Sequence, residues 1–306
     1  MFRKTFLLLV FIIAVILFSG CSTEPAKVVS LNKTNPEIIT KDKVSDQKPL
    51  RIAVSSIVSP KETLTVYQPL VDYVEEKLGY PVVLLQRKTY KEVNDLLQNG
   101  GAEVAFVCSG GYVAGNQSFG MELLAVPEVK GERLYQSYII ARESQNHSIM
   151  DLKGRTFAFT DPMSFSGRIA PVYMLLQQGI DSDRFFSRTF FTYSHDNAIQ
   201  AVADGIADAA AVDSMIFDRA VEQNPDLGKR VFIIDKSLRV GSPPVVVKPT
   251  TDAATKQQLR ALLLQMNTNE NGRKALSALN YDKFVVPSDE DYAELKNVWH
   301  LVKEKL

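Results

Sequence analysis

From Leu50 onward, short apolar runs alternate with amphipathic stretches, and this alternation limits the fold more than any other feature. Leu50-Arg51-Ile52-Ala53-Val54 reads as a buried strand. Leu64, Tyr67, Leu70, Val71, Val74 and Leu78 then recur at helical spacing until Gly79. The same grammar predicts a strand at Val82 to Leu85, a helix at Tyr90 to Leu97, a strand at Ala102 to Val107, a helix at Tyr112 to Gln117 and a strand at Leu123 to Val126. Strands that alternate with helices imply a parallel sheet covered on both faces.

After Tyr135 to Ala141, an alternating strand, the pattern restarts. Strands are expected at Thr156 to Phe159, Arg188 to Phe191, Ala209 to Val212, Val231 to Ile234 and Val245 to Val247. Helices are expected at Gly167 to Gln178, His195 to Ala203, Met215 to Gln223, Ala253 to Asn267, Gly272 to Leu279 and Asp289 to Val302. The fold class is therefore α/β, with two Rossmann-like lobes joined by a hinge and a ligand cleft between them. The expected division is 50–138 for the first part of lobe 1, 139–235 for lobe 2, and 236–306 for the return to lobe 1. The chain would cross at Tyr135 to Arg142 and Ile234 to Val240. In open α/β sheets ligands bind beyond the carboxyl ends of the strands, which puts the site in the cleft.

The first residues read as an address. Arg3 and Lys4 precede the thirteen-residue apolar run Phe6 to Phe18, too short for a spanning helix of roughly 20 residues, and Ser19-Gly20-Cys21 follows. Residues 1–20 are expected to be an export signal. Phe18-Ser19-Gly20-Cys21 resembles a bacterial lipobox, with Phe18 where an aliphatic residue is usual, so Cys21 is the expected lipidation site. Residues 21–49, polar and without a sustained apolar period, read as a flexible tether to the membrane. With only two cysteines, a lipidated Cys21 leaves Cys108 a lone thiol and excludes a Cys-rich metal site. Lys plus Arg equals Asp plus Glu at 35 each, which excludes the basic footprint of a general nucleic-acid binder.

The candidate chemistry sits in turns that follow a strand and open a helix. Thr160-Asp161-Pro162-Met163-Ser164-Phe165-Ser166-Gly167 combines free N–H groups at a helix start, two hydroxyls and a glycine allowing close approach, a neutral cradle for an anion. Ser194-His195-Asp196-Asn197 offers a ring N–H from His195, with Ser194 as cap and Asp196 favouring the helix dipole. Asp213-Ser214, Thr89-Tyr90 and Cys108-Ser109-Gly110-Gly111-Tyr112 occupy equivalent turns. Each alone reads as plain capping or turn chemistry; their convergence on one cleft edge is the signal. A carboxylate there, Asp213 or Asp196, repels a fully ionised oxyanion yet accepts a hydrogen bond from one that keeps a proton, favouring phosphate-like over sulfate-like ligands.

Together these segments resemble the phosphate/phosphite/phosphonate-binding proteins of ABC importers, the PhnD-like branch of periplasmic binding proteins. The resemblance spans about Leu50 to Val302. It rests on Thr89-Tyr90, the Cys108 to Tyr112 turn, Tyr135 to Ile140, Asp151-Leu152-Lys153-Gly154, the Asp161-Pro162 to Ser166-Gly167 run, Ser194-His195-Asp196, and Gly205 with Asp208. It implies a type 2 periplasmic binding fold, a small oxyanion as ligand and an ABC permease as partner. Ser164, the Phe165 backbone and Ser166 would hold the phosphoryl oxygens, with Tyr90 and His195 closing around them. Ser109, Tyr112 and Asp213 complete the candidate ligand-binding set. Two departures stand out. Phe165 replaces the middle hydroxyl of the family's Ser-Thr-Ser run, adding bulk near the ligand. Met215 and Ser242 stand where aminophosphonate binders place acids, which disfavours an aminoalkylphosphonate.

The expected function is a lipid-anchored, extracytoplasmic solute-binding protein that captures a phosphonate, phosphite or phosphate. It would be a monomer with no cofactor, no metal and no nucleic-acid partner. A sensor-input protein serving a receptor kinase uses the same binding chemistry. A hydrolase using Ser166 or Ser164 with His195 is the third class; it lacks a Gly-x-Ser-x-Gly elbow and clustered His/Glu spacing for a metal.

Overall fold

In the computed structural model, which describes residues 48–306, β1 (Leu50–Val54) leads through α1 (Pro60–Leu78) to β2 (Val82–Gln86), and α2 (Tyr90–Gln98) leads to β3 (Val104–Phe106). The export signal, Cys21 and nearly all of the tether lie outside the described residues. Both β2 and β3 pair parallel with β1, Ile52 opposite Leu84 on one side and Val104 on the other. Helix α3 (Ser109–Phe119) then leads to β4 (Glu122–Glu128).

The chain next enters a second sheet with β5 (Leu134–Ala141), β6 (Thr156–Phe159), α4 (Ala170–Leu176), the short α5 (Ser182–Phe185), β7 (Arg188–Phe191), α6 (His195–Ala203), β8 (Ala209–Asp213), α7 (Ser214–Gln223) and β9 (Phe232–Gly241). It returns through β10 (Val245–Val247), α8 (Ala253–Leu264), α9 (Glu270–Leu279), β11 (Lys283–Val285) and α10 (Ala293–Val302). The sheets have six strands in the order β11-β4-β10-β3-β1-β2 and five in the order β7-β6-β8-β5-β9.

The expected all-parallel sheet is corrected in each lobe. β10 runs antiparallel to β3 and β4, and β5 runs antiparallel to β8 and β9. A parallel neighbour needs a long crossover, usually a helix, whereas β5 and β10 arrive directly from the other lobe and owe no such direction. The segments read as crossings form these two strands of the hinge: β5 and β9 pair with each other from Leu134 opposite Gly241 to Ala141 opposite Phe232. The expected boundaries at 138/139 and 235/236 fall inside them, and both strands run through without a break. Strand β11 was not expected, because Lys283-Phe284-Val285 lacks the unbroken apolar run that marks the equally short β10.

Both faces of the first sheet are buried. α1, α8 and α9 cover one through Leu70, Leu262 and Leu276, and α2, α3 and α10 cover the other through Leu97, Val113 and Leu295. The second face's core also takes in Phe165, Ile169 and Val172 of lobe 2, so apolar packing continues across the cleft. In lobe 2, α6 and α7 bury Ile199, Val202 and Phe217 on one face. Phe157, Phe159, Phe185 and Phe186 fill the other, Phe157 stacked on Phe186 at 4.4 Å.

Candidate functional site

The helix expected to start at Gly167 opens instead with a π-helical turn, Phe165–Ile169, before α4 continues. Ser164 causes it. Its hydroxyl accepts from Gly167 N at 3.0 Å, and its carbonyl accepts from Arg168 N and Ile169 N, both at 3.0 Å. One carbonyl thus serves two donors, a widened turn of the kind found at functional sites. Gly167 is required by space: a Cβ there would lie 1.6 Å from Thr160 Oγ1. Ser166 is buried in this turn, its carbonyl held by Ser137 Oγ at 2.6 Å while its own hydroxyl has no partner among the described residues.

Lobe 1 closes onto this turn. A Cβ on Gly110 would meet Met163 O at 2.2 Å, so the start of α3 and the 160–167 loop are in backbone contact. Tyr90 N donates to Asp161 Oδ2 at 3.1 Å, and the Cys108 sulfur lies 3.9 Å from Ser164 Oγ and 3.8 Å from Tyr135 Oη. The Tyr90 hydroxyl, beside Ser164, makes no hydrogen bond of adequate geometry, and is buried. Burial, reinforced by Cys108, Asp161 and Asp213, raises its pKa well above that of a free tyrosine and keeps it a proton donor.

His195 and Asp213 form the third side. Asp213 N donates to His195 Nδ1 at 3.0 Å, which assigns the ring proton to Nε2. Burial depresses the His195 pKa to about 3, against the opposing effect of Asp196, so the ring is neutral. Asp213 caps α7, accepting from Met215 N at 2.7 Å and Ile216 N at 3.3 Å. Burial outweighs those two bonds and raises its pKa to about 7. Ser137 stands opposite Asp213 in the sheet and holds the Ser166 carbonyl, which sets Asp213 beside the 164–167 turn.

The structure brings together Tyr90, Ser164, Ser166, His195 and Asp213. Other expected residues have partners of their own within the protein. Ser109 Oγ donates to Gly241 O at 2.6 Å, and Tyr112 Oη donates to Asp289 Oδ1 at 2.9 Å while its ring packs edge-on to Tyr292. The Phe165 ring packs edge-on to Tyr135 and joins the core, so the bulk expected beside the ligand serves as packing. Asp196 reaches across to Ser59 in lobe 1. Cys108, expected to be a lone thiol, is buried against the Phe165 and Gly110 N–H groups, and burial raises its pKa.

Four residues not singled out as ligands also carry buried polar groups. Asp161 has a carboxylate whose pKa is raised by burial, and Thr160, Ser55 and Ser242 have hydroxyls without partners among the described residues. Ser55-Ser56 was legible, since it follows β1 and precedes α1 as the other turns do.

Comparison with known proteins gives consistent matches. The profile of the family described as ABC transporter, phosphonate, periplasmic substrate-binding protein matches residues 52–292. The phosphate-import protein PhnD of Mycolicibacterium smegmatis is 30% identical over 173 residues, which is 53% of this chain and 54% of the relative, so the match spans about half of that protein's length. The binding protein component of an ABC phosphonate transporter from Pseudomonas aeruginosa superposes with a TM-score of 0.78 at 22% identity, covering 85% of this chain and 88% of that one. PhnD1 from Prochlorococcus marinus, in complex with methylphosphonate, gives 0.77 at 15% identity, covering 84% and 99%.

Proposed function

The chain belongs to the family of ABC-transporter phosphonate periplasmic substrate-binding proteins, components that bind rather than transform, and from that premise we propose that it captures a phosphorus oxyanion, a phosphonate, phosphite or phosphate, between its lobes for an ABC importer. The observation that carries this reading is the convergence of turns from both lobes on buried hydroxyls with no partner among the described residues: Tyr90 Oη from one jaw, Ser166 Oγ and Thr160 Oγ1 from the other. A buried hydroxyl left unpaired costs about 1–3 kcal/mol, so a ligand oxygen that pairs with several recovers that deficit.

Donors come first. His195 Nε2–H, the Ser166 hydroxyl and the free N–H groups of the 164–167 turn would hold oxygens that carry charge. Asp213 would accept from an oxygen that keeps its proton, which a phosphonate, phosphite or phosphate can supply near neutral pH and sulfate cannot. Tyr90 would donate from lobe 1, so its bond forms only on closure and favours the closed state. Met215 and Ser242 bring no negative charge, which disfavours a ligand with an amine.

Two finer points rest on sequence. The Phe18-Ser19-Gly20-Cys21 motif supports cleavage before Cys21 and lipidation of its sulfur, anchoring the protein outside the cytoplasm. Cys21→Ser is expected to abolish incorporation of labelled fatty acid and release the protein from membranes; unchanged incorporation would remove the anchor from the reading. For the ligand, titration calorimetry against phosphate, phosphite, methylphosphonate, aminoethylphosphonate and sulfate is the test. At least one phosphorus oxyanion should bind more tightly than sulfate, and aminoethylphosphonate more weakly than methylphosphonate. Sulfate binding as tightly as the best of them would refute the proposal.

A further inference from the structure

On the side of the cleft where α1 begins, the lobes are joined by contacts that use none of the groups assigned to the anion. Ser59 opens α1 without a side-chain cap, and its N–H is taken instead by the Asp196 carboxylate of lobe 2, at 2.9 and 3.1 Å. The adjacent His195 gives its backbone N–H to Ile57 O at 2.9 Å. One turn along α1, Glu62 pairs with Arg219 of lobe 2 at 3.1 Å, and Lys88 lies 4.5 Å over the Tyr193 ring. A carboxylate at a helix start is favoured by the unsatisfied N–H groups and by the dipole. Asp196 is placed to serve its own helix, α6, yet it caps a helix of the other lobe.

When the jaws part, the Ser59 N–H and the Asp196 carboxylate both return to water, so this bond counts only in the closed form. We propose that Asp196 is a closure clasp: a positioning residue that sets how far the lobe equilibrium lies toward the closed form, and so how long an anion stays, without touching the anion. The inference rests on the ligand reading above. Where a ligand is retained only by the closed form, its apparent affinity scales with the population of that form. Weakening the clasp therefore lowers affinity for every ligand by one common factor, whereas loss of a group that touches the anion changes some ligands more than others.

The experiment compares the wild type, Asp196→Asn, Ser59→Pro and the double variant, each titrated with phosphate, phosphite and methylphosphonate and each followed for ligand dissociation. Ser59 has a φ of −56°, which a proline ring accepts, so that substitution deletes the N–H and little else. Asp196→Asn should weaken every ligand that binds by the same factor, roughly 10-fold for a charge-assisted hydrogen bond, chiefly through faster dissociation. The double variant should be no weaker than the worse single one, because both remove one bond. A factor that differs between ligands, or unchanged affinity and dissociation, overturns the clasp. If melting shows that Ser59→Pro does not fold, Asp196→Asn and Asp196→Ala decide on the common factor alone. If none of the three anions binds the wild type, the ligand reading fails by itself. The clasp is then judged by X-ray scattering of the ligand-free protein, where Asp196→Asn must increase the radius of gyration and an unchanged radius overturns it.

Discussion

Lobe 1 and lobe 2 use the same strand, turn and helix grammar, yet their turns are bonded differently. In lobe 1 several turn hydroxyls are bonded to other segments, Ser56 Oγ to Arg87 O, Ser109 Oγ to Gly241 O and Tyr112 Oη to Asp289, while those of Ser55, Tyr90 and Ser242 have no partner among the described residues. In lobe 2 the capping bonds fix the turns while the Ser166 and Thr160 hydroxyls have no partner among the described residues, and His195 keeps Nε2–H because Asp213 N occupies Nδ1. In the proposed binding reaction, lobe 2 would be the preassembled cradle, its turns fixed by caps, and lobe 1 the closing half that adds Tyr90.

The largest effects should come from filling the two spaces that this division depends on. Gly167→Ala drives a methyl into Thr160 within the cradle. It should abolish measurable anion binding and destabilise the protein by about 1–3 kcal/mol in urea titration, as overpacking does. Gly110→Ala places a methyl against Met163 O across the cleft, so it should block closure and cost about 100-fold or more in affinity while the melting temperature barely moves. If the two variants behave alike in melting, the distinction between cradle and closing half is wrong.

Next come the polar groups. Ser166→Ala and His195→Ala, both in lobe 2, should each weaken the best phosphorus oxyanion by roughly 1–3 kcal/mol in calorimetry, the range for hydrogen bonds to a charged group. Tyr90→Phe removes one hydroxyl from the closing half and should cost less, about 1 kcal/mol. A Tyr90 effect larger than both lobe 2 effects would invert the assignment.

The comparison also marks what the sequence could carry. Local periodicity located ten of the eleven strands among the described residues, and the turn residues of the proposed cradle announced themselves through hydroxyls and glycine placed after a strand. What escaped was decided by distant partners. No local signal told that Tyr112 would turn to Asp289, 177 positions away, or that Asp196 would cap a helix 137 positions earlier. The π-helical turn escaped for another reason, since it arises when one Ser164 carbonyl takes two donors, a choice of bonding and not of composition. The antiparallel strands escaped because direction depends on how the chain enters a sheet.

The smallest effect expected in the native protein is a near absence of one, and it lies wholly within lobe 2. Asp213 rises from 3.8 to about 7 on folding, so between about pH 4 and 7 the folded chain holds the extra proton and stability falls as pH rises. His195 drops from 6.5 to about 3, so between about pH 3 and 6.5 the unfolded chain holds the extra proton and stability rises with pH. Over the shared window, about pH 4 to 6.5, the two slopes oppose each other and this pair should contribute little net pH dependence. Asp213→Asn keeps a residue able to cap α7 but removes one of the two titrations. Relative to the wild type it should lose up to about 1.4 kcal/mol per pH unit on acidification through that window, and it should be the more stable protein above pH 7. Taking the difference between the two proteins cancels the carboxylates they share. Parallel stability curves for the two would mean that folding does not raise the Asp213 pKa, and that this carboxylate stands ionised across the whole window.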